Sequence, residues 1–251
     1  MVRRAYVRLV LSPDQIERVL VVTAHPDDVD FAAAGTVAAW TDRGVDVSYC
    51  VCTDGDAGGF DAAVPREEIA GIRQAEQLAA AAEVGVTDVA FLGHKDGRLQ
   101  ATLALRRDIS REIRRVRPQL VLTQSPERNW ERIFASHPDH MAAGEATMCA
   151  VYPDARNPFA HPELGKAGLE AWTVSEVWVM AIGKADHYVD VSDSYTRKKA
   201  ALLSHVSQRP GMPGGGDDLD TLLGMWMGGQ AKAAGLPEGR LAEAFRRVTT
   251  V

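Results

Sequence analysis

Residues 18–30 read RVLVVTAHPDDVD and join an apolar run to a cluster of charged residues. Its first part, Arg18–Thr23, is a short apolar run rich in β-branched residues, which predicts a buried strand. One histidine and three acids follow directly, where clustered like charges repel each other and lose solvation if they are partly buried. A metal ion would offset both effects, so the junction predicts a metal site at the end of a strand.

The same alternation of short apolar runs and longer helix-period segments continues along the chain. It indicates βαβ units and a mostly parallel sheet with helices on both faces, which is a Rossmann-like three-layer α/β sandwich. We expect one domain spanning residues 1–251. The predicted strands are Arg18–Thr23, Asp46–Thr53, Asp88–Leu92, Gln119–Thr123, Glu176–Ile182 and Tyr188–Val191. The predicted helices are Phe31–Asp42, Arg66–Val84, Leu103–Val116, Pro138–Val151, Tyr195–Ser207 and Leu236–Val248.

One segment departs from this alternation. Residues 210–229, PGMPGGGDDLDTLLGMWMGG, are rich in glycine, proline and methionine, so we expect an irregular excursion at about 208–230. It could be a lid over a site, a contact in a homo-oligomer or a plain surface loop. The part at 222–229, which contains methionine and tryptophan, could also be ordinary core.

Composition narrows the possible partners. The formal net charge is −6, and the single basic cluster, REIRRVRP at 111–118, has the spacing of a solvated helix face. This balance argues against nucleic acid or an anionic membrane as the main partner. No run is long enough to span a membrane, and the three cysteines form no CxxC motif. We therefore expect a cytoplasmic protein with free thiols.

Polar residues gather where the first four predicted strands end. In open α/β sheets the carboxyl ends of the strands form the edge at which ligands bind. We therefore expect the polar loops to form one rim around a site. They read AHPDD (24–28), TDGDAGGFD (53–61), GHKDG (93–97) and QSPERNW (124–130).

The expected metal site draws on two His-Pro-Asp motifs. A catalytic zinc usually has three protein ligands and one open position, and His25 and Asp28 can supply two of them. The motif SHPDH at 136–140 is the strongest source of a third ligand. His137 and His140 share one helix face, so that one can bind the metal while the other faces the substrate. Taken singly, either motif could be only a helix cap or a surface residue.

Such a site suits the hydrolysis of an amide. Asp27 is next to a ligand and should point towards the water, so we expect it to act as the general base. A cation close by would keep its pKa low. His137 is placed to stabilise the oxyanion if it is protonated.

Together these motifs make the chain resemble the PIG-L/LmbE-like N-deacetylases, over roughly Val19 to Val151. The family includes N-acetylglucosaminyl-phosphatidylinositol deacetylases and the deacetylases of mycothiol and bacillithiol synthesis. The resemblance implies zinc on His25, Asp28 and His140, with Asp27 as base and His137 as oxyanion stabiliser or acid. Fe²⁺ or another divalent ion is an alternative, because a set of two histidines and one carboxylate also suits iron.

The resemblance also implies two substrate-binding residues, Arg73 and Asp96, which match positions that hold sugar hydroxyls. Each has an alternative. Arg73 could form a surface ion pair with Glu76 or lie near Gln77, and Asp96 could be a turn residue before a glycine.

Two positions depart from the family pattern. Val29 stands where the family usually has glutamate, which puts the local support network in doubt. Ala135 stands where the mycothiol branch has tyrosine, which argues against mycothiol-type substrates.

The resemblance predicts a zinc-dependent hydrolase that removes an acyl group, typically acetyl, from an amino sugar or sugar conjugate. Two alternatives remain open. The first is a metal-dependent amidase acting on a thiol conjugate or another small amide. The second is a non-catalytic sugar- or metal-binding module, although binding alone would not need Asp27.

Overall fold

A computed structural model describes residues 11–61, 63–131, 133, 136–180, 184–212 and 218–251. Short apolar runs form the strands and longer amphipathic or alanine-rich segments form the helices, as expected. The strands are β1 (Arg18–Thr23), β2 (Asp46–Thr53), β3 (Asp88–His94), β4 (Leu120–Gln124), β5 (Glu176–Met180), β6 (His187–Asp190) and β7 (Ala242–Thr249). The α-helices are α1 (Asp28–Thr41), α2 (Arg66–Glu83), α3 (Leu103–Val116), α4 (Pro138–Cys149), α5 (Pro162–Lys166), α6 (Tyr195–Ser204) and α7 (Leu219–Ala233).

The seven strands form one sheet in the order β3-β2-β1-β4-β5-β7-β6. The first five strands pair in parallel, and β7 pairs antiparallel with both β5 and β6. One face of β1 packs against α1 through Val19 and Val21, and the other face packs against α3 through Leu20 and Val22. The predicted three-layer α/β sandwich with a mostly parallel sheet is confirmed.

β1 lies between β2 and β4, so consecutive connections leave it in opposite directions across the sheet. Such a switch point opens a crevice at the carboxyl ends of the strands. The AHPDD stretch follows β1 at this crevice, and the loop before α4 reaches it from β4. The topology therefore brings the two His-Pro-Asp motifs together.

The helix predicted at Leu236–Val248 is wrong. Residues Ala242–Thr249 form β7, which pairs with β5 and β6 and buries Phe245 in the core. The sequence contains good helix formers, but sheet pairing on both edges outweighs that weak local preference.

The excursion at 208–230 is only partly irregular. Its second half lies in α7, which buries Leu219, Leu223 and Met227 against α6 and the end of β6. A plain loop is therefore wrong for residues 219–230, while 213–217 lie outside the described residues. Met225 and Trp226 stay exposed on α7. A role as a lid or oligomer contact remains a prediction.

Several boundaries differ by a few residues. The helix that begins at Tyr195 ends at Ser204, and α4 ends at Cys149 before a short π-helical segment, Ala150–Asp154. Residues 181 and 182 of the fifth predicted strand lie outside the described residues. Within the described part of the chain, no helix is both long and apolar enough to cross a membrane.

Candidate active site

A strained turn links β1 to α1. Asp27 has φ 90°, in the left-handed region that residues other than glycine rarely occupy. Its carbonyl accepts the backbone N–H groups of Asp30 and Phe31, so the first turn of α1 is built on it. The turn places the Asp27 and Asp28 side chains on different partners. Asp28 faces His25 and His140, whereas Asp27 faces Arg73.

His25, Asp28 and His140 bring two imidazole nitrogens and the two oxygens of one carboxylate together. His25 Nδ1 lies 3.2 Å from His140 Nε2 and 3.4 Å from Asp28 Oδ2, and His140 Nε2 lies 3.0 Å from Asp28 Oδ1. Donors bound tetrahedrally to one zinc ion at its usual bond lengths are about 3.3 Å apart. The spacing of the predicted ligand set therefore fits a small divalent ion.

His137 completes a cluster of three imidazoles. Its ring centroid lies 4.9 Å from that of His25 and 5.2 Å from that of His140. The three histidines thus form a second possible ligand group, with donor atoms within 4.8 Å of one another. In the set containing Asp28, the nearest donor atoms are 3.0–3.4 Å apart, and we favour it as the ligand set.

The protonation state of His137 follows from its contacts. Its Nδ1 accepts the backbone N–H of Asp139 at 3.2 Å, which leaves the proton of a neutral ring on Nε2. Burial and the neighbouring His25 and His140 lower the pKa of His137. Both observations favour a neutral ring that donates through Nε2, whereas the sequence analysis considered a protonated ring for the oxyanion stabiliser.

The other edge of the His25 ring meets two carboxylates. Nε2 lies 3.1 Å from Asp96 Oδ1 and 3.3 Å from Asp139 Oδ2. Asp139 also accepts the N–H groups of Gly97 at 2.7 Å and Leu99 at 3.2 Å, so its carboxylate is fixed. A carboxylate on the outer nitrogen of a metal-binding histidine sets the ring tautomer and orientation.

Asp139 was missed by the sequence analysis, although it is the acid within the HPDH motif. Asp96 is a turn residue before Gly97, which has φ 78°, and its side chain also reaches His25, whereas its predicted contact with sugar hydroxyls stays a prediction. Burial alone would raise the pKa of both carboxyl groups, but hydrogen bonds from His25 and the charge on that ring lower them.

Arg73 is not a surface ion pair. It is 4% exposed, and its guanidinium donates to Asp27 Oδ2 at 3.1 Å, to the Pro26 carbonyl at 2.7 Å and to the Gly55 carbonyl at 3.1 Å. A second ion pair joins it to Asp96 at 3.6 Å. Arg73 thus ties the proposed base to the loop that follows β2.

Burial and neighbouring charges shift the pKa values of two residues in the cluster. Burial raises the pKa of Asp27 to about 6, against the opposing effect of Arg73. The low pKa expected for Asp27 therefore depends on a cation beside it. Burial lowers the pKa of His25, but Asp28, Asp139 and Asp96 outweigh burial and raise it to about 12. A centre with this excess of carboxylates attracts positive charge.

The comparisons with known proteins agree with this geometry. The family model described as "PIG-L: GlcNAc-PI de-N-acetylase" matches residues 20–151, which contain every predicted site residue. Diacetylchitobiose deacetylase from Thermococcus kodakarensis is 34% identical over 201 residues, covering 78% of this chain and 72% of the relative. A probable N-acetyl-alpha-D-glucosaminyl L-malate deacetylase 2 from Bacillus cereus is 33% identical, covering 77% of this chain and 84% of the relative.

A solved structure gives the same result. N,N'-diacetylchitobiose deacetylase from Pyrococcus horikoshii, complexed with its inhibitor MPG, superposes with a TM-score of 0.85 at 26% identity. The match covers 94% of this chain and 85% of that chain. The family match, the similar relatives and the shared fold together show that the chain belongs to the PIG-L family of deacetylases.

Proposed function

We propose that the protein is a zinc-dependent N-deacetylase that removes acetyl groups from small N-acetylated amino sugars or their conjugates. The observation that carries this proposal is the separation of 3.0–3.4 Å among the donor atoms of His25, Asp28 and His140. Three neighbouring donors of this kind leave a fourth tetrahedral position for water or substrate.

His25, Asp28 and His140 are the residues that would hold the ion. When bound, a zinc ion polarises the amide carbonyl and lowers the pKa of water towards neutrality. The mixed donor set, two imidazoles and one carboxylate, suits zinc, and it also suits Fe²⁺.

Asp27 is assigned as the general base. Arg73 holds Oδ2, so the carboxylate cannot swing towards the Asp28 ligand, and we assign Oδ1 to proton transfer. The carboxylate accepts the proton of the attacking water and later gives it to the departing amine. The Asp27 side chain is 18% exposed, which leaves it accessible from the crevice.

His137 is assigned to the carbonyl oxygen of the substrate. Because its Nδ1 accepts the Asp139 N–H, Nε2–H is the donor that remains for the substrate. A neutral imidazole donor stabilises the negative charge that develops on the oxygen in the tetrahedral transition state. This role needs no protonated ring.

The substrate class is inferred from the relatives. Two of them are named for diacetylchitobiose and one for an N-acetyl-alpha-D-glucosaminyl malate, and these molecules share an acetamido sugar. We assign Asp96 to support of His25 and Arg73 to support of Asp27, with sugar contacts as a further role for both.

The test is amine release from a panel of acetamides. The purified chain, supplied with Zn²⁺, is given N-acetylglucosamine, diacetylchitobiose, N-acetylglucosaminyl malate, N-acetylcysteine and a linear N-acetyl amine. We expect turnover of at least one sugar, and a loss of about 10²–10⁴-fold in kcat for Asp27→Asn. Asp88→Asn, a carboxylate at the amino end of β3 that pairs with Arg115, is the matched control and should keep full activity.

Cleavage of the linear amide or N-acetylcysteine without any sugar turnover would favour the amidase alternative. Full activity in Asp27→Asn would contradict the assigned base. Absence of turnover across the whole panel would contradict the proposed substrate class.

A further inference from the structure

The buried side-chain amide of Gln77 supports the left-handed turn at Asp27. The backbone N–H of Asp27 donates to Gln77 Oε1 at 2.8 Å, and Gln77 Nε2 donates to Asp30 Oδ2 at 2.9 Å. His205 Nε2 donates to the same Asp30 oxygen at 2.8 Å. Gln77, Asp30 and His205 are all 0% exposed. Three side chains from α2, α1 and the end of α6 therefore form one hydrogen-bonded line beneath the turn.

We propose that Gln77, Asp30 and His205 act as a positioning relay that sets the Asp27 carboxylate for proton transfer. This inference rests on the proposed function, because it assumes that Asp27 is the base. None of the three residues reaches the rim itself. They act through the backbone of Asp27, and we name them the Asp30 relay.

The directions of the hydrogen bonds make the relay specific. A backbone N–H can only donate, so the Gln77 amide must present its oxygen to Asp27. Its nitrogen must then face an acceptor, and the Asp30 carboxylate is one. His205 donates to that carboxylate and fixes its orientation in turn. If the amide were turned the other way, its nitrogen would face the Asp27 N–H and its oxygen would face the Asp30 carboxylate. Neither pair could form a hydrogen bond, so the Asp27 N–H and the Asp30 oxygen would both lose their hydrogen bond to Gln77.

The strain at Asp27 explains why such support is needed. A non-glycine residue in a left-handed conformation persists only where its surroundings over-determine it. Here Gln77 fixes the N–H, the first turn of α1 fixes the carbonyl and Arg73 fixes the carboxylate. If the Gln77 contact is lost, the turn can relax and move the carboxylate away from the reacting atoms.

A buried lysine also binds the backbone of Asp30. Lys198, fully buried on α6, donates to the Asp30 carbonyl at 3.0 Å and pairs with Glu243 of β7 at 2.6 Å. Lys198, His205 and Glu243 all lie beyond the 20–151 region that matches the family. The C-terminal part of the chain thus supports the catalytic turn.

The relay accounts for one departure from the family pattern. Val29, which stands where glutamate is usual, is 0% exposed. It packs in the core on the face of the sheet that α1 covers. The next residue, Asp30, carries the local support instead.

The test uses Gln77→Met, which keeps length but removes the amide. We expect kcat to fall about tenfold to a hundredfold, because small misplacements of a catalytic group have effects of this size. KM and the zinc content per chain should stay near the wild-type values, since no ligand or rim residue is changed. Gln119→Met is the matched control. Gln119 Oε1 accepts the Arg18 N–H at 2.8 Å at the opposite end of β1, so kcat should not change.

Exchanging the carboxylate and the amide between positions 30 and 77 should restore the activity that a change at position 77 removes. Gln77→Glu keeps an acceptor for Asp27 but sets a second carboxylate against Asp30, so kcat should fall. Adding Asp30→Asn supplies an amide that can donate to Glu at position 77 and to a neutral His205, so the double variant should recover activity relative to Gln77→Glu. Recovery of kcat while the free energy of unfolding of Gln77→Glu equals that of wild type separates positioning from general stability.

Hydrogen exchange tests the relay without activity. In the metal-free protein, amide exchange in the peptide spanning residues 24–31 should accelerate in Gln77→Met and not in Gln119→Met. Unchanged exchange together with kcat within about twofold of wild type would overturn the relay. A wild-type protein without turnover on the sugar panel would count against the proposed function, whereas the exchange measurement would still decide whether Gln77 holds the turn.

Discussion

Arg73 donates through Nη2 to Asp27 Oδ2 at 3.1 Å, and the same nitrogen donates to the Pro26 carbonyl at 2.7 Å. One planar guanidinium therefore fixes the side chain of the proposed base and the backbone just before it. This geometry favours support of the proposed base as the role of Arg73, and its contact with sugar hydroxyls stays a prediction.

Arg73→Lys should lower kcat about tenfold or more, because an ammonium keeps the charge but cannot bridge the same partners. Zinc content should be unchanged. Steady-state kinetics on the best sugar of the panel, with zinc measured on the same samples, checks both statements. A rise in KM at unchanged kcat would instead support a direct contact between Arg73 and the sugar.

Asp139→Asn should weaken metal binding. The carboxylate fixes the outer nitrogen of His25, and loss of such a partner typically costs about 10- to 100-fold in metal affinity. Competition with a chromophoric chelator measures the zinc dissociation constant. Asp108→Asn is a suitable control, because Asp108 pairs with His94 at 3.4 Å on α3, outside the cluster. Equal affinity in wild type and Asp139→Asn would contradict this role.

Asp154 should make stability depend on pH. It accepts two hydrogen bonds from Arg106, at 2.9 and 2.8 Å, and one from His161 at 3.3 Å. Burial alone would raise the pKa of its carboxyl group, but these partners outweigh burial and lower it. The folded pKa is therefore below the unfolded value of about 3.9, so the stabilisation is present above that pH and is lost as pH falls through the folded pKa.

Asp154→Asn should accordingly lower the free energy of unfolding by about 1–3 kcal/mol at pH 7. The difference from wild type should shrink below about pH 4. Denaturant unfolding at pH 7 and pH 3 measures it, with Asp193→Asn, whose side chain is 93% exposed, as the control. A difference that stays constant with pH would count against the charged contact.

The sequence predicted the parts of the fold that depend on local pattern. β1 and β2 follow apolar runs with clear ends, and their bounds agree with the structure. The predicted ligands also meet, because His25 and Asp28 follow the end of β1 while His140 follows a proline that starts α4. The strand bounds and the ligand positions both depend on sequence patterns that are only a few residues long.

Long-range pairings were not visible in the sequence. Glu243 lies in a run of residues that favour helices. In the structure it belongs to β7, and its buried carboxylate pairs with Lys198. Gln77 and Asp139 gain their roles only from partners on other elements. The glycines of α7 suggested a loop, yet the buried face of that helix stabilises it.

The proposed chemistry depends on a metal held by His25, Asp28 and His140. The most direct measurement is elemental analysis of metal per chain in the wild type and in Asp28→Ala, purified side by side. We expect about one divalent ion, zinc, per wild-type chain and little in the variant. No metal in the wild type, even after reconstitution with zinc or iron, or equal metal in both proteins, would contradict it.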